Sequence, residues 1–73
     1  MEKGLKIILS NDKSKHYKIE ETGGKFYVKR FEKDIIISSV WETIGNSRSF
    51  EDAVTLARAD ASSFGNIRRV EFN

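Results

Sequence analysis

Residues 16–31 read HYKIEETGGKFYVKRF, two alternating runs on either side of a glycine pair. Alternation with period two marks a half-buried strand. Two glycines between such runs form the loop of a tight antiparallel hairpin, because glycine takes the positive φ angles this turn requires. With Gly23-Gly24 as the loop, Tyr17 lies opposite Arg30, Lys18 opposite Lys29, Ile19 opposite Val28 and Glu20 opposite Tyr27. Phe26, Val28 and Arg30 then share one face with Ile19, and Lys25, Tyr27, Lys29 and Phe31 share the other with Lys18. Ile19 and Val28 mark the core side. Lys18 facing Lys29 is a like-charge pair, which Glu20 or a bound anion would offset.

Outward from this hairpin, residues 5–9 (LKIIL) read as a preceding strand and residues 35–44 (IIISSVWETI) as a following one, rich in β-branched side chains. The pattern then changes period. Ser49-Phe50-Glu51-Asp52 has the form of a capping box with Asp52 in place of the usual Glu or Gln. Phe50, Val54, Ala57, Ala61 and Phe64 recur at helical spacing, with Ala53 and Leu56 widening the stripe and Gly65 placed as a stop. Residues 67–72 (IRRVEF) read as a closing strand with Arg68, Val70 and Phe72 on one side. The expected fold is α+β, in β-β-β-β-α-β order. It is a small antiparallel sheet with one helix packed on one face, in a single domain over residues 1–73.

A turn at Lys33-Asp34 would set Phe26 against Trp41, Tyr27 against Val40, Arg30 against Ile37 and Phe31 against Ile36. Phe26 and Trp41 would then meet the helical alanines at the centre of the core. The outer face would carry Tyr27, Phe31, Ile36 and Val40, rimmed by Lys18, Lys25 and Lys29. A three-residue turn would instead flip the fourth strand and dissolve that patch.

Composition narrows the function classes. The chain has 73 residues, no cysteine and one histidine, His16. Disulfides and thiolate metal sites are therefore ruled out, and no metal or cofactor is expected. Chains this short often gain stability by self-association. The apolar run at residues 5–9 is too short for a signal-peptide core or a membrane span, so the reading is cytoplasmic. Net charge is +2, but residues 1–33 hold nine basic and five acidic side chains, giving that part a polyanion-facing character.

Catalysis is not expected. His16 has no cysteine to pair with, and the serines lack a nucleophile-elbow setting. Glu20 and Glu21 point to opposite faces, and Glu51 and Asp52 serve the helix start. Gly23-Gly24 lacks the phosphate-loop spacing. Arg48 and Arg68-Arg69 read as solvated cations near a helix start and a strand end.

Gly24, Phe26 and Val28, followed by Ile44, Gly45, Ser49, Glu51, Asp52 and Ala53, resemble the strand opening and helix start of AP2-type DNA-binding domains and of arm-type domains of tyrosine integrases. The resemblance covers fewer than half the residues, and LKIIL and IRRVEF have no counterpart in it. Similar strand–strand–strand–helix segments also occur in small bacterial domains of unknown function. The resemblance implies a sheet face lying in the DNA major groove, with contacts from Lys25, Tyr27 and Lys29.

Three fates of the outer face compete. The LKIIL or IRRVEF segment covers it, a protein or a second copy docks on it, or it binds nucleic acid. The preferred reading is a non-enzymatic nucleic-acid-binding module, with Lys18, Lys25 and Lys29, joined by Arg30, on phosphates and Tyr27 and Phe31 stacking on bases. The alternative is a protein-interaction or homodimerisation module using Tyr27, Phe31, Ile36 and Val40.

Overall fold

A computed structural model describes residues 1–34 and 38–73 of the chain. Strands β1 (Glu2–Leu9), β2 (Ser14–Thr22), β3 (Lys25–Asp34) and β4 (Ser38–Ser47) form a meander. Helix α1 (Phe50–Ser62) then carries the chain back across one face of the sheet, and β5 (Ile67–Phe72) joins beside β1. The sheet is antiparallel throughout, in the order β4-β3-β2-β1-β5. This is the α+β architecture and element order expected from the sequence.

Gly23 and Gly24 have φ of 59° and 78°, the two positive angles of a two-residue hairpin loop. The β2–β3 register follows as read, with Tyr17 opposite Arg30, Lys18 opposite Lys29, Ile19 opposite Val28 and Glu20 opposite Tyr27.

The β3–β4 register differs from the expected one. β3 continues through Glu32 and Lys33 to Asp34, so Lys33-Asp34 is strand and not turn. Phe31 pairs with Trp41, Arg30 with Glu42 and Glu32 with Val40. Near the other end Phe26 pairs with Ser47 and Val28 with Gly45, and between these stretches Ile44 is an extra residue, a bulge. Trp41 is therefore on the outer face, away from the core in which it was expected. Val40 moves the opposite way, to the helix side with Glu32. Ile36 and Ile37 lie outside the described residues.

The core is aliphatic apart from Tyr17. Leu5, Ile7 and Leu9 of β1, Tyr17 and Ile19 of β2, and Val28 of β3 are fully buried beneath Ala53, Ala57 and Ala61. Burial of each Leu, Ile or Val contributes ~1.5–3 kcal/mol. The alanines recur every four residues and leave the helix a flat, narrow face, so its backbone comes close to the sheet. Gly45 lies beneath Leu56, whose Cδ1 would be 3.4 Å from a Cβ there, an ordinary van der Waals contact. Phe26 and Phe50 pack edge-to-face beside the core at the helix start, with ring centroids 6.2 Å apart.

Ser49 caps α1, its Oγ accepting from the Asp52 N–H at 3.1 Å, with Glu51 and Asp52 in the first turn as read. The C-cap is Ser63, and Gly65 follows as the chain turns into β5. In β5 a register shift makes Arg68 the extra residue. Ile67, Val70 and Phe72 consequently face the helix side, in place of the expected set of Arg68, Val70 and Phe72.

Ala57→Leu forces extra methylenes between α1 and the sheet. A loss of about 1–3 kcal/mol is expected, read as a lower urea midpoint, whereas Ala59→Leu on the exposed side of the same helix should leave the midpoint nearly unchanged.

Candidate functional site

The helix takes one face of the sheet; among the described residues no helix or strand lies over the other. The LKIIL and IRRVEF segments do not cover that face, because both are strands within the sheet. The outer surface is ordered in rows by the registers. One row runs Lys6, His16, Phe31 and Trp41, and a second runs Gly4, Lys18, Lys29 and Thr43.

Aromatic side chains interlock along the first row. Phe31 meets Trp41 edge-to-face with centroids 5.1 Å apart, and His16 meets Phe31 at 6.4 Å. Trp41 is 41 % exposed, and Lys18 Nζ lies 4.6 Å from its ring centroid, close enough for cation–π attraction. Glu2, Gly4, His16, Lys18, Phe31 and Trp41 line a shallow open groove of about 550 Å³. Gly4 forms its floor with the Asn73 side chain close against it, where a Cβ would collide.

Carboxylates temper the lysines. Lys29 Nζ lies 2.7 Å from Glu20 Oε1, and Lys18 Nζ lies 3.8 Å from the same oxygen and 3.4 Å from Glu2 Oε1. The hydrogen bond from Lys29 holds the Glu20 carboxyl below its usual range. Two cations thus share one carboxylate between them, which resolves the Lys18–Lys29 opposition read from the sequence. Lys25 stands exposed at the hairpin end.

Of the residues singled out by sequence, Lys18, Lys25, Tyr27, Lys29 and Phe31 share the outer face. Val40 does not, and Ile36 is outside the described residues. Sequence reasoning missed Trp41, which the correct strand parity would have placed beside Phe31.

Arg30 also faces away from the outer surface. Its Nη1 donates to Asp60 Oδ1 at 2.7 Å and Oδ2 at 2.9 Å, its Nε to Glu32 Oε1 at 2.6 Å, and its Nη2 to Glu42 Oε2 at 3.4 Å. Tyr17 OH donates to Asp60 Oδ2 at 2.6 Å. Three carboxylates hold this guanidinium on the helix side, so it is a structural cation and not a phosphate contact of the outer face. Among the described residues no cluster of His, Asp and Glu has an arrangement suited to a metal ion, and no helix is long and apolar enough to cross a membrane.

No protein-family model, curated protein or solved structure matches the chain.

Burial, then the hydrogen bond to Asp60, raises the Tyr17 phenol far above its ordinary value of 10.0. Above about pH 10 the unfolded chain loses a proton that the folded chain keeps, so stability falls as pH rises through that range. Urea midpoints should fall on moving into this alkaline range. Tyr17→Phe should flatten that part of the decline while costing about 1–2 kcal/mol at neutral pH through the lost hydrogen bond.

Proposed function

We propose that the protein is a small cytosolic, non-enzymatic binding module that holds a single strand of nucleic acid on the outer face of its sheet. Trp41 and Phe31 offer faces on which bases stack, and Tyr27 lies further along the same strand. Lys18, Lys25 and Lys29 meet the phosphates. The observation that carries the reading is the Phe31–Trp41 pair on the sheet face opposite the helix, with Trp41 41 % exposed, Phe31 partly buried and Lys18 against the indole. Stacking platforms set among cations are how sheets bind single strands. The resemblance to AP2-type and integrase arm-type domains points to the same face.

A second reading, a protein-binding face built on Tyr27, Phe31 and Trp41, is favoured by one observation. Glu20 and Glu2 already engage Lys18 and Lys29, leaving the face more apolar than its lysine count implies. The two readings part on salt, because phosphate contacts release counterions and apolar contacts do not.

Trp41 is the only tryptophan, so its fluorescence reports directly on the site. A short mixed-sequence RNA or DNA single strand should quench it at low salt, with affinity falling steeply as salt rises. Trp41→Ala, followed by amide shifts, should lose roughly tenfold in affinity or more, the order expected for one stacked base. Glu20→Gln should tighten binding by releasing Lys18 and Lys29. No quenching at low salt, together with no amide shifts on the outer face, would reject the nucleic-acid reading.

A further inference from the structure

We infer that β5 is a homodimerisation edge, on which a second copy of this chain pairs antiparallel about a two-fold axis at Val70. β5 is an outer strand of the sheet, and its far side has no strand partner among the described residues. The Asn73 N–H donates to the Gly4 carbonyl at 3.0 Å. Alternate residues of an antiparallel strand turn their backbone groups the same way. Glu71 and Arg69 therefore face β1 like Asn73, while Val70 and Phe72 present N–H and C=O to the open side.

A two-fold axis at Val70 makes that residue a reciprocally hydrogen-bonded pair with its own copy. The outer face then sets Arg69 against Glu71 of the second copy, and Glu71 against Arg69 of the second copy. Opposite charges directly across a strand pair attract. Moving the axis to Arg69 or to Glu71 puts that residue against its own copy, like charge on like. An axis between residues would oppose helix-side and outer-face side chains, which the pleat forbids. Of the registers centred on Arg69, Val70 or Glu71, the Val70 one satisfies both the charges and the backbone, and it alone among open-side centres sets Arg69 against Glu71.

Side chains on the helix side agree. Phe72 is 50 % exposed and Val70 is only partly buried, so both have apolar surface left for a partner. In the isolated chain Arg69 Nε donates to Glu71 Oε2 at 2.8 Å. Both side chains are about half exposed, so exchanging this pair for two intermolecular ones costs little. An isologous two-fold contact is the commonest form of self-association.

Sedimentation velocity from micromolar to millimolar protein should show the mass rising toward twice the monomer. Arg69→Glu and Glu71→Arg should each weaken self-association by roughly tenfold or more, since each turns two attractive pairs repulsive. Mixed together, these two variants should form a heterodimer, and the double exchange R69E/E71R should restore the homodimer. Hydrogen exchange on the unaltered protein supplies a check that needs no variant, because the Val70 and Phe72 amides should gain protection with concentration. A monomer at millimolar concentration overturns the proposal. So does a dimer indifferent to both single reversals, or Val70 and Phe72 amides that exchange freely at every concentration.

Discussion

Two residues between β2 and β3 constrain everything that follows. Because Gly23 and Gly24 both take positive φ, the loop between the strands has an even number of residues and the twist of the ribbon is right-handed. Side chains alternate strictly along a strand, so that parity decides which residues of the hairpin meet the helix. Ile19 and Val28 go under α1, and Lys18, Tyr27, Lys29 and Phe31 go to the other side. A loop one residue longer would send lysines into the helix interface and the aliphatic side chains to solvent. Each later element inherits this choice, β1 through its register with β2 and β4 through its register with β3.

The β2–β3 half of the sheet was legible because its loop chemistry is local and unambiguous. The β3–β4 half was not. Glu32, Lys33 and Asp34 form a charged triplet of the kind that fills turns, yet they are the last residues of a strand. Part of the physical reason is tertiary, since Arg30 two residues earlier donates to Glu32 on the helix side through a 2.6 Å hydrogen bond. The Ile44 bulge then shifts the register again before Gly45 passes under Leu56. Neither the ion pair nor the bulge has a signature in a short window of sequence. The candidate site was accordingly half visible. Lys18, Tyr27, Lys29 and Phe31 came from the readable hairpin, and Trp41 was misplaced by the unreadable one.

The misplacement of Trp41 also follows from the helix. Ala53, Ala57 and Ala61 let α1 lie close to the sheet, and Leu5, Ile7, Leu9, Ile19, Val28 and Tyr17 already fill the space beneath it. Apart from Tyr17, the large aromatics are distributed around that contact. Phe26 and Phe50 sit at its beginning, Phe64 lies beyond its end with Lys15 Nζ 3.9 Å from its ring centroid, and Phe31 and Trp41 occupy the opposite face. A tight, small-residue helix contact and an aromatic outer surface are thus two sides of one packing solution.

Charge divides along the same plane. On the helix side the Arg30 guanidinium is surrounded by Asp60, Glu32 and Glu42, which holds acidic groups there. On the outer side Glu2 and Glu20 engage Lys18 and Lys29, and the further cations of that face are Lys6 in the aromatic row and Lys25 at the hairpin end. The pairing at β5 bears on how much of that surface a ligand meets. Five strands about 4.8 Å apart span roughly 19 Å from first to last, and antiparallel joining at an edge would continue the same outer face into the second copy. Arg69 and Glu71 neutralise each other at the seam, so the join adds no repulsive barrier for a polyanion crossing it. In the proposed dimer, a single strand long enough to reach both aromatic rows would bind the second one intramolecularly, and modest affinity at each row would then multiply. The proposed binding and the proposed dimerisation are thus coupled: pairing at the open edge of the sheet would raise the affinity of a face that is small and, with Glu2 and Glu20 on its lysines, weakly charged.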